Sequence, residues 1–181
     1  KKLDNVIKKF KPGIIFHLAA QPLVSESYKN PYQTFDINFR GTLNIIDISM
    51  KYKFIKSIIS VTSDKCYENL NKIKQYSEKD RLGGIDPYSA SKASAELLIR
   101  SYRKSFFHRT GISSVRAGNV IGGGDWSKNR LIPDCIRYIN KNLKIRLRNP
   151  NYNRPWQFVL EPLKGYLILA KKQYEKPKKF S

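Results

Sequence analysis

A tyrosine and a lysine four residues apart, Tyr88 and Lys92, could form an acid–base pair on one face of a helix. The positive charge of Lys92 would lower the pKa of the Tyr88 phenol, so that its phenolate could act as a base near neutral pH. Two other pairs have the same spacing, Tyr52 with Lys56 and Tyr174 with Lys178. The spacing alone therefore does not select one pair.

The surroundings of Tyr88 distinguish it from the other two tyrosines. It begins a long predicted helix and follows a predicted strand that ends in the polar cluster Thr62-Ser63-Asp64-Lys65. In an open α/β sheet, ligands bind beyond the carboxyl ends of the strands, where this cluster would lie. The context favours a functional pair. The alternative is a buried tyrosine near a helix start, with Lys92 solvated.

The elements that position these residues alternate between strands and helices. Short runs of apolar or β-branched residues predict buried strands at 13–18, 57–62 and 112–116. Apolar residues at steps of three and four predict helices over 31–52 and 86–107, with Pro31 suited to a first helical turn. This order is typical of parallel βαβ units with both sheet faces covered. The predicted fold class is a doubly wound, Rossmann-like α/β sheet.

The chain changes character after Arg116. Four glycines, at 118, 122, 123 and 124, predict a flexible connection, followed by a helix over 129–142 and short strands around Ile145 and Phe158. A final helix is predicted to begin near Glu161. We therefore expect 1–117 to be part of a Rossmann domain and 118–181 to be part of a smaller substrate-binding region, interleaved with it.

The composition restricts the partners. A net charge of +21 would suit a nucleic-acid binder, but the lysines are spread along the whole chain, which favours an anionic small substrate. No apolar run approaches the length of a membrane helix, and no signal-peptide core is present. Cys66 and Cys135 lack metal or redox spacing. We expect a cytoplasmic protein with reduced cysteines, no metal, no nucleic-acid partner and no membrane.

Seven segments occur in the order found in one family of enzymes. They are His17-Leu-Ala-Ala-Gln21, Asn38, Thr62-Ser-Asp-Lys-Cys-Tyr67, Asp86-Pro-Tyr-Ser-Ala-Ser-Lys92, Arg116-Ala-Gly-Asn-Val120, Arg130-Leu-Ile-Pro133 and Arg154-Pro-Trp156. In these segments the chain resembles the NAD-dependent nucleotide-sugar dehydratases of the extended short-chain dehydrogenase/reductase superfamily. Among them it is most similar to those acting on CDP-glucose.

The resemblance implies a reaction and roles for five residues. In this family NAD takes a hydride from sugar C4, water is eliminated across C5 and C6, and the hydride returns to C6. Tyr88 resembles the base for the C4 hydroxyl, Lys92 the lysine that binds the nicotinamide ribose, and Ser63 the supporting hydroxyl. Asp64 and Lys65 occupy the positions of the second acid–base pair, which elimination needs. The alternative for Lys65, which is a base only when neutral, is a salt bridge to Asp64.

The resemblance also implies binding residues. Ala19, Ala20 and Gln21 correspond to a loop that packs against NAD. Asn119, Arg130 and Arg154 are similar to residues that hold the nucleotide pyrophosphate, and the planar donor fork of arginine suits phosphate oxygens. Surface solvation is the alternative for Arg130.

Two further positions are expected to be structural. His17 is assigned to the loop against which the cofactor packs, and Asn38 resembles a helix asparagine that braces the central strands. Pairing of the long helices in this family implies a homodimer or a dimer of dimers.

One family motif is missing. No G-x-x-G-x-x-G segment follows a strand near the start, although this superfamily binds the NAD pyrophosphate at such a segment. Together with a first residue that is not Met, this predicts a fragment without its first βαβ units, inactive alone. A related epimerase or reductase and a non-catalytic Rossmann-like module stay open as alternatives.

Overall fold

The computed structural model describes residues 1–68, 75–107, 109–147 and 149–180, with the side chain of Lys178 excepted. Its centre is a three-stranded parallel sheet made of β1 (Ile14–His17), β2 (Ser57–Val61) and β3 (Gly111–Val115), in the order β1-β2-β3. All three predicted strands are confirmed. Ile58 of β2 pairs with Ile15 of β1 and with Ile112 of β3.

Helices cover both faces of this sheet, as predicted. On one face, buried Ile58 and Ile112 pack with Ile7, Ile46 and Ile99 from three helices: α1 (Lys2–Phe10), α4 (Gly41–Met50) and α5 (Pro87–Ser105). The side chain of the next residue of β2, Ile59, points to the other face, because successive side chains along a strand point to opposite sides of the sheet.

On that second face, Ile59 packs with Tyr166 and Ala170 of α7 (Leu160–Glu175). The fold class is therefore confirmed. Helix α7 belongs by sequence to the predicted substrate-binding region, yet it covers the sheet. The domain boundary itself stays a prediction.

The helix predicted over 31–52 consists of three segments. It runs from α3 (Pro31–Phe35) through a π-helical segment (Asp36–Arg40) into α4, and a further short helix, α2 (Val24–Lys29), precedes it. Neither α1 nor α2 was predicted. A π-segment changes which side chains share a helix face, and here it places Asn38 in the buried interior.

The connection after β3 differs from the prediction. It contains a strand, β4 (Asn119–Ile121), which pairs in parallel with β5 (Trp156–Phe158). The glycines flanking β4 are needed for this approach, since a Cβ on Gly118 would lie 2.8 Å from Pro155 Cγ. The strand predicted around Ile145 is wrong, because that residue lies in a loop. Helix α6 (Leu131–Asn140) and α7 are confirmed.

Candidate active site

The polar cluster after β2 forms a compact loop at the carboxyl edge of the sheet. The hydroxyl of Ser63 accepts a hydrogen bond from the Lys65 N–H at 3.2 Å, which starts a 3₁₀ turn over Asp64–Cys66. Backbone bonds fasten the loop to the segment after β3, with Asp64 N–H donating to Ala117 O at 3.2 Å. The carboxyl ends of two neighbouring strands thus hold the cluster in place.

The first turn of α5 brings Tyr88 to the same edge. Asp86 caps this helix by accepting from Ser89 N–H at 3.0 Å, and Pro87 occupies the first turn. Gly84 passes so close beneath the turn that a Cβ there would lie 2.5 Å from Ala90 N. The cap and this close contact fix where the helix begins, and so where Tyr88 lies.

Tyr88 is 8% exposed and interacts with the loop. Burial raises the pKa of its phenol, and the nearby Ser63 hydroxyl and the charge of Arg130 oppose that rise only in part. The lowered pKa expected from Lys92 is therefore not what this structure gives: desolvation of the phenolate outweighs the favourable contacts. The expected partnership of the two hydroxyls in proton transfer stays a prediction.

Lys92 lies one helical turn beyond Tyr88 and is 6% exposed. Its ammonium donates to Val61 O at the end of β2, over 3.2 Å. Burial lowers its pKa to about 8, although the charge of Glu96 opposes the change. The alternative of a solvated lysine is thus excluded. Lys92 is a buried cation at the carboxyl edge of the sheet.

Asp64 and Lys65 form an ion pair. Lys65 Nζ lies 3.7 Å from Asp64 Oδ1, and both side chains are about one-third exposed. The Ser63 hydroxyl also donates to Asp64 Oδ1, at 3.1 Å. The salt bridge weighed as an alternative from the sequence is therefore present, and a catalytic use of the pair would have to proceed from this contact.

A cleft of about 940 Å³ opens in front of these residues. Its walls include four of the predicted catalytic residues and all three predicted substrate residues: Ser63, Asp64, Lys65, Tyr88, Asn119, Arg130 and Arg154. Residues more than 90 positions apart in the chain are thus brought together.

Two of the arginines that line the cleft, Arg130 and Arg154, have partners within the protein. Arg130 is paired with Asp125 at 3.2 Å, and the Arg154 guanidinium lies 5.4 Å from the centre of the Tyr152 ring. The Arg130 side chain is still 37% exposed, so its phosphate-binding role stays a prediction. Because its partner Asp125 also lines the cleft, an anionic ligand would have to compete with that carboxylate.

The predicted cofactor loop follows β1. Ala19 is exposed and Ala20 is half-buried, while Gln21 is tied to the π-segment: its N–H donates to Asn38 Oδ1 at 2.8 Å. Asn38 Nδ2 donates in turn to Gln21 O and to Ser91 Oγ. Asn38 therefore joins the loop to α5 rather than bracing the strands. Among the described residues, the cleft lining does not include Ala19, Ala20, Gln21 or Lys92.

His17 is the last residue of β1 and contacts a neighbouring helix, while its expected place beside the cofactor stays a prediction. Its Nε2 lies 3.1 Å from the Thr42 hydroxyl of α4, and burial lowers the pKa of the imidazole. A neutral imidazole that bonds to a helix hydroxyl holds the strand end against α4.

Two features of the site were not identified from the sequence. One is a buried network around Glu96, since a glutamate within a helix ordinarily indicates a solvated face. The other is a set of aromatic side chains in the cleft wall, namely Tyr28, Trp126, Tyr138 and Tyr152. Their spacing is irregular, so no periodic signal could have identified them.

In the portion of the chain that the structure describes, no group of His, Cys, Asp or Glu could hold a metal ion. No described helix is long and apolar enough to cross a membrane. Both cysteines are free, and burial raises the pKa of the Cys66 thiol to about 12.

A Rossmann-like sheet with a serine, a tyrosine and a lysine at the carboxyl ends of its strands defines a short-chain dehydrogenase/reductase. Comparison with known proteins narrows this class. Residues 1–180 match the family model described as GDP-mannose 4,6 dehydratase, and the chain belongs to that family.

Individual relatives agree with this assignment. CDP-glucose 4,6-dehydratase of Salmonella typhimurium is 48% identical, over 100% of this chain and 52% of the relative. The dTDP-D-glucose 4,6-dehydratase of Dictyostelium discoideum is 32% identical, over 94% of this chain and 41% of the relative. The chain thus spans about half the length, or less, of these curated relatives.

A solved structure gives the same fold. That of dTDP-glucose 4,6-dehydratase from Bacillus anthracis in complex with NAD superposes with a TM-score of 0.81 at 26% identity, covering 95% of this chain and 52% of the other.

Proposed function

We propose that the complete protein containing this chain is an NAD-dependent nucleotide-sugar 4,6-dehydratase whose substrate is CDP-glucose. The reaction converts CDP-glucose into CDP-4-keto-6-deoxyglucose and water, with no net change of redox state. The observation that carries the proposal is the cleft, which joins Ser63, Asp64, Lys65 and Tyr88 to the predicted nucleotide-binding residues. The choice of CDP rests on the 48% identity to a CDP-glucose 4,6-dehydratase.

The residues at the carboxyl ends of the strands suit a nicotinamide cofactor. Ala19 and Ala20 place small side chains beyond β1, which permits close approach. The Lys92 ammonium has three N–H donors, and one of them bonds to Val61 O. A ribose hydroxyl could accept a hydrogen bond from another. When bound, NAD supplies the hydride acceptor for C4 and the hydride donor for C6.

Tyr88 and Ser63 are the groups for the first proton. The phenolate oxygen of Tyr88 would accept the C4 hydroxyl proton, with the Ser63 hydroxyl bridging the two oxygens. Burial raises the pKa of Tyr88, so this step needs a cation nearby. The charge of Arg130 favours the phenolate, and Lys92 lies one turn along α5.

Asp64 and Lys65 are the groups for elimination. In the ion pair Lys65 is an ammonium and Asp64 a carboxylate, so one proton is available to pass between them. Transfer of that proton from Lys65 to Asp64 would produce both forms that the step requires: a neutral amine to remove the C5 proton and a carboxylic acid to protonate the departing C6 hydroxyl. Exclusion of water by the bound sugar favours the neutral pair over the ion pair.

The proposal is tested by incubating the complete protein and NAD with CDP-glucose, dTDP-glucose, UDP-glucose and GDP-mannose in parallel. We expect CDP-glucose to lose one water, measured by mass spectrometry, without net accumulation of NADH. Water loss from another nucleotide sugar alone would overturn the substrate assignment. A new isomer of unchanged mass would indicate an epimerase, and unchanged substrates throughout a non-catalytic module.

Tyr88→Phe provides the matched control in the same assay. Loss of the hydroxyl should abolish water loss while leaving the circular dichroism spectrum and the urea midpoint close to those of the parent. Undiminished activity of this variant would contradict the role of Tyr88. Homodimer or higher assembly and a cytoplasmic location remain predictions.

A further inference from the structure

A buried glutamate near the site has several hydrogen-bond donors around it. Glu96 lies on α5, one turn beyond Lys92, and is 4% exposed. Its carboxylate accepts from the hydroxyls of Thr62 and Ser114, the latter at 2.6 Å, and from Arg116 Nε and Nη2 at 2.9 and 2.8 Å. Burial acts to raise its pKa, but these donors bring it below the usual value.

The arginine of this network extends it to a second residue. Arg116 Nη1 donates to the Tyr67 hydroxyl at 3.0 Å, and the guanidinium lies 4.8 Å from the centre of the Tyr67 ring. The hydroxyl and the ring face of Tyr67 thus both contact one fixed cation. Because Arg116 forms a bidentate bond to Glu96, its own position is determined by α5.

The two residues held by the network lie on either side of the catalytic loop. Thr62 directly precedes Ser63, and Tyr67 directly follows the 3₁₀ turn Asp64–Cys66. Both ends of the segment 63–66 are therefore bonded, directly or through Arg116, to one carboxylate on the helix that carries Tyr88 and Lys92.

We propose that Glu96 and Arg116 form a positioning unit that sets Ser63, Asp64 and Lys65 at their working distance from Tyr88 and Lys92. The catalytic consequence rests on the proposed dehydratase function. The mechanical consequence does not, since it concerns only the loop and the helix. Elimination should depend more on this unit than C4 oxidation, because Asp64 and Lys65 both lie within the loop, whereas of the groups for C4 oxidation only Ser63 does and Tyr88 and Lys92 lie on α5.

The loop is tested first without substrate, by amide hydrogen exchange of residues 64–66 in the complete protein. Tyr67→Phe removes the acceptor for Arg116 but keeps the ring, and Thr62→Val removes the donor to Glu96 at nearly constant shape. Each should accelerate exchange about fivefold, the equivalent of one lost hydrogen bond. Thr62→Ser keeps the hydroxyl and should restore the parent rate.

Tyr52→Phe is the matched control, because it removes a tyrosine hydroxyl bonded to Asp4 at 2.5 Å on α1. It should leave exchange at residues 64–66 unchanged. Unaltered exchange in both Tyr67→Phe and Thr62→Val, or equal acceleration in Tyr52→Phe, would overturn the proposal whatever reaction the protein catalyses.

Turnover of CDP-glucose supplies the second readout. Displacement of the loop should lower kcat about tenfold or more in Tyr67→Phe and Thr62→Val, with KM for CDP-glucose within about twofold of the parent. Reduced nicotinamide should accumulate during a single turnover, because the displaced loop slows elimination more than it slows C4 oxidation. A parallel rise in KM, or a kcat unchanged despite faster exchange, would refute the catalytic part. Absence of water loss in the parent would instead refute the proposed function.

Discussion

The buried charge of Lys92 gives the most quantitative prediction. Replacing it by methionine keeps an unbranched side chain of similar length and removes the ammonium. Burial lowers the pKa of Lys92 from 10.5 to about 8 in the folded protein. Because the folded state binds this proton less tightly than the unfolded chain, the ammonium destabilises the fold wherever it is charged.

The magnitude follows from that difference. At about 1.4 kcal/mol per pH unit, the gap between 10.5 and about 8 corresponds to about 3 kcal/mol. The destabilisation is complete below about pH 8 and disappears as the pH rises toward 10.5. Between about pH 7 and about pH 9.5, some 2 kcal/mol of it should be recovered. Lys92→Met has no such group and should show no such gain.

The assay is urea unfolding of the complete protein and of Lys92→Met, without NAD, at several pH values in this range. Other lysines and tyrosines titrate in both proteins, so the difference between the two free energies of unfolding isolates Lys92. The lost hydrogen bond to Val61 O adds an offset that is constant with pH. If the difference between the two free energies of unfolding stays constant from about pH 7 to about pH 9.5, Lys92 is not a buried cation with a lowered pKa.

Three further predictions concern the cleft and its supports. Asp64→Asn and Lys65→Met should each stop water loss from CDP-glucose but permit C4 oxidation, so that the absorbance of reduced nicotinamide persists; loss of both steps together would contradict separate roles. Arg130→Gln should raise KM for CDP-glucose about 10- to 100-fold, as expected for a charge-assisted bond to phosphate, with little change in kcat in steady-state kinetics; an unchanged KM would remove Arg130 from the binding site. Gly41→Ala adds a Cβ that meets nothing within 4 Å, and it should stabilise the protein by about 0.5–1 kcal/mol in urea unfolding. Gly84→Ala adds a Cβ 2.5 Å from Ala90 N and should destabilise the protein in the same assay. The reverse order of the two variants would contradict the structure.

The sheet and its two long helices could be predicted because their signals are local. Ile58, Ile59 and Ile112 lie in β-branched runs, and the apolar steps of α5 match a helical period. Ser63, Asp64 and Lys65 directly follow β2, and the helix that carries Tyr88 begins at the same edge of the sheet, where ligands bind in open α/β sheets.

Other parts depend on contacts between distant residues. Strand β4 exists because Gly118 lets Pro155 approach, and the buried state of Glu96 depends on Arg116 and on two hydroxyls. The raised pKa of Tyr88 was not predicted because charge spacing does not reveal how much water the fold removes. Local sequence patterns determine where helices and strands form. The pKa of a buried group depends instead on the balance between lost hydration and charge pairing, which only the packed structure reveals.

The path of one hydrogen atom tests the proposed reaction most directly. CDP-glucose carrying deuterium at C4 would be incubated with the complete protein and NAD, and the product analysed by mass spectrometry and NMR. The proposed chemistry predicts loss of one water with the deuterium retained and found at C6. Deuterium that stays at C4, or a product that has not lost water, would contradict a 4,6-dehydratase.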